Sequence, residues 1–182
     1  MLRRSLMIMA AVFALGVASV PSEASANGGP MNRTFGLGLQ LGAPLGITGK
    51  VFLGEIPALQ FGVGFILPYA GVGGWFDVVF HFVKIPNRRE DVLTLHLYAG
   101  PGVQVGASGP YYGAIVVGRN YRGEQYTYFG GPPSIGIRAP FGFTIHWQKA
   151  AFDTFVEVSP VVYVYPGVFV VGEGAIGGRY YF

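Results

Sequence analysis

The stretch VFVVGEGAIGGRYYF, Val168 to Phe182, decides how the chain is read. Counted by twos, Val170, Gly172, Gly174, Ile176, Gly178, Tyr180 and Phe182 share one face. Val171, Glu173, Ala175, Gly177, Arg179 and Tyr181 share the other. The first face carries no charge and the second carries Glu173 and Arg179. A period of two is that of a β-strand. A strand that crosses a bilayer at a tilt needs roughly 9 to 11 residues, and this one is long enough.

At the opposite end, Arg3 and Arg4 precede an apolar run from Leu6 to Val20, and Ala24-Ser25-Ala26 follows. That order is the pattern of a secretory signal peptide cleaved after Ala26, so residues 1–26 are expected to be a leader and 27–182 the mature domain. Export has to be reconciled with composition. The chain is 51% hydrophobic and only 12% charged, too little polar surface for a water-soluble domain of this size. Thirty glycines and thirteen prolines argue against membrane helices. A bilayer admits only helices or closed barrels, which leaves the barrel. Cysteine is absent, and the formal net charge of +3 gives no reason to expect a nucleic-acid partner.

The same alternation recurs along the chain. Phe35, Leu37, Leu39 and Leu41 oppose Gly36, Gly38, Gln40 and Gly42, and a return strand over 47–53 sets Lys50 opposite Gly49, Val51 and Leu53. Leu59, Phe61, Val63 and Phe65 oppose Gln60, Gly62 and Gly64. Phe76, Val78, Phe80 and Phe82 oppose Asp77, Val79, His81 and Val83, with Trp75 at the membrane interface after a loop over 68–74. A fifth strand over 93–104 carries His96 inward, and a sixth over 134–147 carries Arg138 and His146, with a bulge expected at Pro140. A seventh over 152–159 places Asp153, Phe155, Glu157 and Ser159 on one face, and Pro160 opens the last loop. The expected architecture is all-β, a closed antiparallel up-and-down barrel of about eight strands. The longest connection, 106–133, falls on the side opposite the termini.

The ionisable residues fall on one face throughout. Lys50, Asp77, His81, His96, Arg138, Glu157, Glu173 and Arg179 all lie opposite the aliphatic and aromatic stripe. An Arg or Lys facing lipid at mid-membrane would cost about 2 to 4 kcal/mol, which makes this register self-consistent. The eight are expected to form a polar network inside the barrel, Lys50, Arg138 and Arg179 balancing Asp77, Glu157 and Glu173, with glycines making room and the pore plugged. The Thr144 and His146 pair at a rim, with no companion carboxylate in sequence, points to packing and not to catalysis. No catalytic, metal or cofactor residues are assigned.

Gly36-x-Gly38, the run Gly42-Ala43-Pro44-Leu45-Gly46-Ile47-Thr48-Gly49-Lys50, Arg138-Ala139-Pro140-Phe141-Gly142 and the ending Gly177-Gly178-Arg179-Tyr180-Tyr181-Phe182 carry a resemblance. The chain resembles small bacterial outer-membrane proteins related in architecture to the OmpA and OmpX barrels. The resemblance implies insertion in the outer membrane among its lipids. It also implies that Tyr180 and Phe182 form the terminal signal read by the barrel assembly machinery. Such barrels serve as anchors, adhesins, defence proteins or occasional lipid-modifying enzymes. The expected role is structural or adhesin-like, with an extracellular partner contacted through loop 106–133. The alternatives are a narrow channel or carrier and, in a different class, a lipid-modifying enzyme.

Overall fold

The computed structural model describes residues 28–66, 71–85, 92–107, 133–165 and 168–182, and the backbone of 116–119 and 125–128. The expected leader and most of loop 106–133 lie outside these residues. A single 3-10 turn, Pro30–Asn32, precedes the strands. These are β1 (Phe35–Gly42), β2 (Leu45–Phe52), β3 (Pro57–Ile66), β4 (Gly71–Ile85), β5 (Leu93–Ala99), β6 (Gly102–Ala107), β7 (Val116–Arg119), β8 (Gln125–Tyr128), β9 (Pro133–Arg138), β10 (Phe141–Trp147), β11 (Phe152–Tyr165) and β12 (Phe169–Tyr181). Among the described residues β7 and β8 pair with each other in a separate two-stranded sheet.

The remaining ten are antiparallel and close on themselves. β5 and β6 act as one strand with a break at Gly100-Pro101. β9 and β10 act as another with a break at Ala139-Pro140. Counted so, eight strands run round a ring, each paired with the next in sequence. β12 pairs back onto β1 from Gly36↔Tyr181 to Gly42↔Ala175.

The breaks are local and the bonding continues across them. Val78 N donates to Pro101 O at 2.9 Å, Gly100 N to Pro140 O at 3.1 Å and Ala139 N to Pro160 O at 3.1 Å. Proline cannot donate to a ladder, and here three prolines on neighbouring strands sit side by side where the ladder is already interrupted. For this reason Pro160 does not end its strand. β11 continues to Tyr165, longer than the alternation up to Ser159 suggests, and buries Val161 and Tyr163.

Three further expectations are corrected. Gly71 to Gly74 is strand and not loop, and Trp75 points inward at 3% exposure instead of marking an interface. A register shift between His81 and Val83 turns Val83 outward, against the inward placement that strict alternation gives it.

The distribution of side chains is inverted relative to a water-soluble protein. Leu39, Leu41, Ile47, Phe65, Phe76, Phe82, Ile137, Phe141, Val158 and Ile176 stand exposed on the outer surface, Leu39 at 65%. Gln40, Lys50, Gln60, Asp77, Gln104, Arg138, Asp153, Glu157 and Arg179 are buried within. The exposed charged residues among those described, Glu55, Lys84 and Lys149, all lie at the end of the ring that holds the termini. That end has an apolar floor: Phe52, Ala58, Val79, Tyr98, Ala151 and Tyr181 form one cluster, with Pro30 buried nearby.

Candidate functional site: the polar interior

The interior is built on a steric rule visible in the register. Glycines stand between large inward side chains on the two neighbouring strands, so that one of these can cross to the other. Asp77 and Arg138 flank Gly102, and a Cβ there would collide with the Asp77 carboxylate. Tyr98 and Glu157 flank Gly142, where a Cβ would sit 2.8 Å from the Tyr98 ring and hydroxyl. Arg179 and Thr48 flank Gly38, and Tyr181 and Lys50 flank Gly36. The glycines at these four positions thus let polar side chains from neighbouring strands meet.

What meets is a continuous chain of polar contacts. Tyr181 Oη donates to Asp153 Oδ2 at 2.7 Å, and Arg179 Nη1 approaches the same oxygen at 3.4 Å. Arg179 Nη2 donates to Gln60 Oε1 at 2.9 Å and to Thr48 Oγ1 at 3.2 Å, while its guanidinium lies 3.9 Å over the Phe155 ring. Gln60 Nε2 donates to Glu157 Oε2 at 2.6 Å, and Tyr98 Oη to the same atom at 2.8 Å. Arg138 Nη2 donates to Glu157 Oε1 at 2.7 Å and to Ser159 Oγ at 2.9 Å. Arg138 Nη1 donates to Gln104 Oε1 at 3.2 Å, and Gln104 Nε2 donates to Glu173 Oε1 at 2.8 Å. The network therefore extends from the floor to the far rim and ties together strands from all round the ring. Charge-assisted bonds of this kind are the strong ones, and in a low-dielectric interior they reinforce one another.

Arg138 and Asp77 differ from the rest. Arg138 Nε is 3.2 Å from Asp77 Oδ1, yet neither atom makes an aligned hydrogen bond, so the contact is between charges. Asp77 leans on this one cation more than any other carboxylate in the network does.

The expected three-against-three balance is modified in two ways. Asp153 joins the network as the ion-pair partner of Arg179, so four buried carboxylates face three buried cations. Lys50 pairs with none of them among the described residues. Its Nζ lies 2.9 Å from His81 Nε2 and 4.5 Å over the Tyr98 ring. His81 Nδ1 is 3.1 Å from Ile56 O, and a carbonyl only accepts, so that nitrogen carries the hydrogen and Nε2 accepts from the ammonium. His96 and His146 stack at 4.7 Å between centroids, and His81 lies 6.2 and 6.3 Å from them. His96 is half-buried while the other two are buried. Sequence places His96 near the start of its strand and His146 near the end of the next. Antiparallel pairing sets His96 opposite Thr144 and His146 opposite Thr94, so the two rings meet diagonally across adjacent strands, which no spacing along the chain displays.

Of the expected residues, Lys50, Asp77, His81, Arg138, Glu157, Glu173 and Arg179 are enclosed by the ring, with His96 at its margin. Tyr180 and Phe182 lie outside on the seam where β12 meets β1, their rings 5.1 Å apart. Phe182 N donates to Phe35 O at 2.9 Å and Arg33 Nη1 donates to Tyr181 O at 2.7 Å, which fastens the end of the chain. Among the described residues no group of His, Asp and Glu is placed to hold a metal ion. No family model, curated protein or solved structure matches the chain.

Proposed function

We propose that this ring is a transmembrane β-barrel of the outer membrane, similar in architecture to the OmpA and OmpX barrels. In this reading its role is structural or surface-interacting, exercised through the connections at the rim away from the termini. One observation carries the reading: aliphatic and aromatic side chains cover the outside while Lys50, Arg138, Arg179 and their carboxylates are enclosed. In water that arrangement exposes apolar surface far beyond what a soluble monomer tolerates; in a bilayer it meets the hydrocarbon on one side and satisfies ions on the other. The β-ladder closes from β12 to β1, so no backbone edge faces lipid along the paired length.

The crossed side chains fill a ring of eight strands, a size whose interior is just wide enough for side chains. The barrel is accordingly a plugged scaffold and not a conduit. Planar-bilayer recording of the purified protein tests this: steady ohmic conductance above the bare membrane would refute it, and a silent membrane containing inserted protein would support it.

A further inference from the structure

Charge inside the ring is not evenly matched. Asp77 and Glu157 share Arg138, and Asp153 takes Arg179. Lys50, the remaining enclosed cation, bonds His81 at the end that carries the termini. Glu173 stands at the other end of the network, and among the described residues no cation touches it. It is 4% exposed. Gln104 Nε2 donates to its Oε1 at 2.8 Å, while its Oε2 is buried with no hydrogen-bond partner. A carboxylate taken out of water with one oxygen left open is a costly arrangement, and a bound cation relieves it.

Just outward of this carboxylate the interior has room. Beyond the inward row that holds Trp75 and Gln104, the next row crosses Gly46, Gly64, Gly73 and Gly106, each paired with the one after it. Four adjacent strands thus contribute no side chain to the layer above Gln104. Ile66 folds over Gly73, where a Cβ would collide with its Cδ1, and Gly46, Gly64 and Gly106 stay half-buried. On β12 the inward positions beyond Glu173 are Val171 and Phe169, both half-buried. Because Gln104 holds Glu173, the carboxylate lies on the floor of this recess, which opens toward the rim away from the termini.

We propose that Glu173 anchors a binding site for a small organic ammonium ion that enters from that rim. The count of free oxygens selects the cation. A guanidinium grips a carboxylate through both oxygens, and Gln104 already occupies Oε1. A calcium or magnesium ion needs a shell of about six oxygens or more, and among the described residues no group of acidic and histidine side chains is placed to supply it. An ammonium is a compact point charge whose donors turn freely, so Oε2 alone can hold it while water takes the other protons. The narrow bore of an eight-stranded ring admits a slender alkyl chain behind that charge. The site goes beyond the scaffold role proposed above, and it depends on the closed ring and not on the membrane.

The test follows the Gln104 side-chain amide, 2.8 Å from Glu173 Oε1, by nuclear magnetic resonance of the folded protein. The indole of Trp147, half-buried at the outer surface, serves as the reference for effects of the surrounding detergent or lipid. Ethylammonium is titrated beside ethanol, its uncharged counterpart, and beside sodium at the same concentration. The ammonium ion moves the Gln104 resonance saturably, with half-saturation on the order of 1 to 10 mM, while ethanol and sodium leave it in place. Glu173→Gln keeps the shape, removes the charge and weakens the response at least about tenfold. Equal responses to the three solutes, no response to ethylammonium, or a response that survives Glu173→Gln would overturn the proposal. A capped lysine peptide that binds where ethylammonium does not would assign the cation to a protein side chain, and would overturn it too. If Glu173→Gln does not fold, the comparison of the three solutes on the parent still decides. The measurement is made in whichever medium keeps the protein folded, so a failure to insert into bilayers defeats the barrel reading and leaves this result standing.

Discussion

Replacing Arg138 with leucine tests the interior most sharply, because this guanidinium serves two buried carboxylates at once. It lies 3.2 Å from Asp77 and 2.7 Å from Glu157. Removing one partner from a buried pair costs about 3 to 5 kcal/mol, chiefly because the other charge is left uncompensated. The structure apportions that cost. Glu157 keeps donors from Gln60 at 2.6 Å, Tyr98 at 2.8 Å and Ser159 at 3.1 Å, whereas Asp77 has no aligned hydrogen bond to fall back on. In the Arg138→Leu background, Asp77→Asn should therefore restore about 1 to 2 kcal/mol, a conventional range for a desolvated polar group, and Glu157→Gln clearly less. Urea unfolding from lipid vesicles, followed through the fluorescence of Trp75, whose ring centroid is 5.9 Å from the Arg138 guanidinium carbon, gives each value. A loss under about 0.5 kcal/mol for Arg138→Leu, within the range of ordinary surface substitutions, would refute the reasoning. So would rescue by Glu157→Gln equal to that by Asp77→Asn.

Further outcomes follow from the same geometry. Gly142→Val puts a Cβ 2.5 Å from the Val156 carbonyl oxygen and 2.8 Å from the Tyr98 ring, so it strains the β11 ladder and displaces the ring that bonds Glu157, lowering unfolding stability by about 1 to 3 kcal/mol, while Gly172→Ala is silent in the same assay. Brominated lipids quench Trp147, which is half-buried at the outer surface, and leave Trp75 bright; equal quenching of both would contradict the inward placement of Trp75. Deleting Phe182 removes its bond to Phe35 O and the ring contact at 6.3 Å, so the seam loses its last rung; the fraction of heat-modifiable, membrane-inserted protein should fall, and normal insertion would contradict an assembly role for this end.

The faces of the strands were legible because a period of two needs no knowledge of neighbours. Each of Lys50, Asp77, Arg138, Glu157 and Arg179 could be placed inside from its own strand. Partnership was not legible in the same way. Arg179 pairs with Asp153, an inward residue that the sequence shows on the right face but does not single out. The meeting of His81, His96 and His146 depends on the offset between strands, which is set by pairing and not by any local pattern. Trp75 was misplaced for a different reason. Gly71, Gly73 and Gly74 read as a loop, yet Gly73 lies under Ile66 and Gly62 accommodates the Trp75 ring, so these glycines are spacers within strands. Pro160 misled similarly, since its neighbours on the adjoining strand had already given up the ladder.

The central claim is that the closed ring of strands spans a bilayer with its ions enclosed. Polarised infrared spectroscopy of residues 27–182 in oriented bilayers measures it directly. The account predicts an antiparallel β signal whose strands tilt about 35 to 45° from the membrane normal. Strands lying in the plane of the membrane, or protein that stays in buffer as a folded soluble monomer, would contradict it.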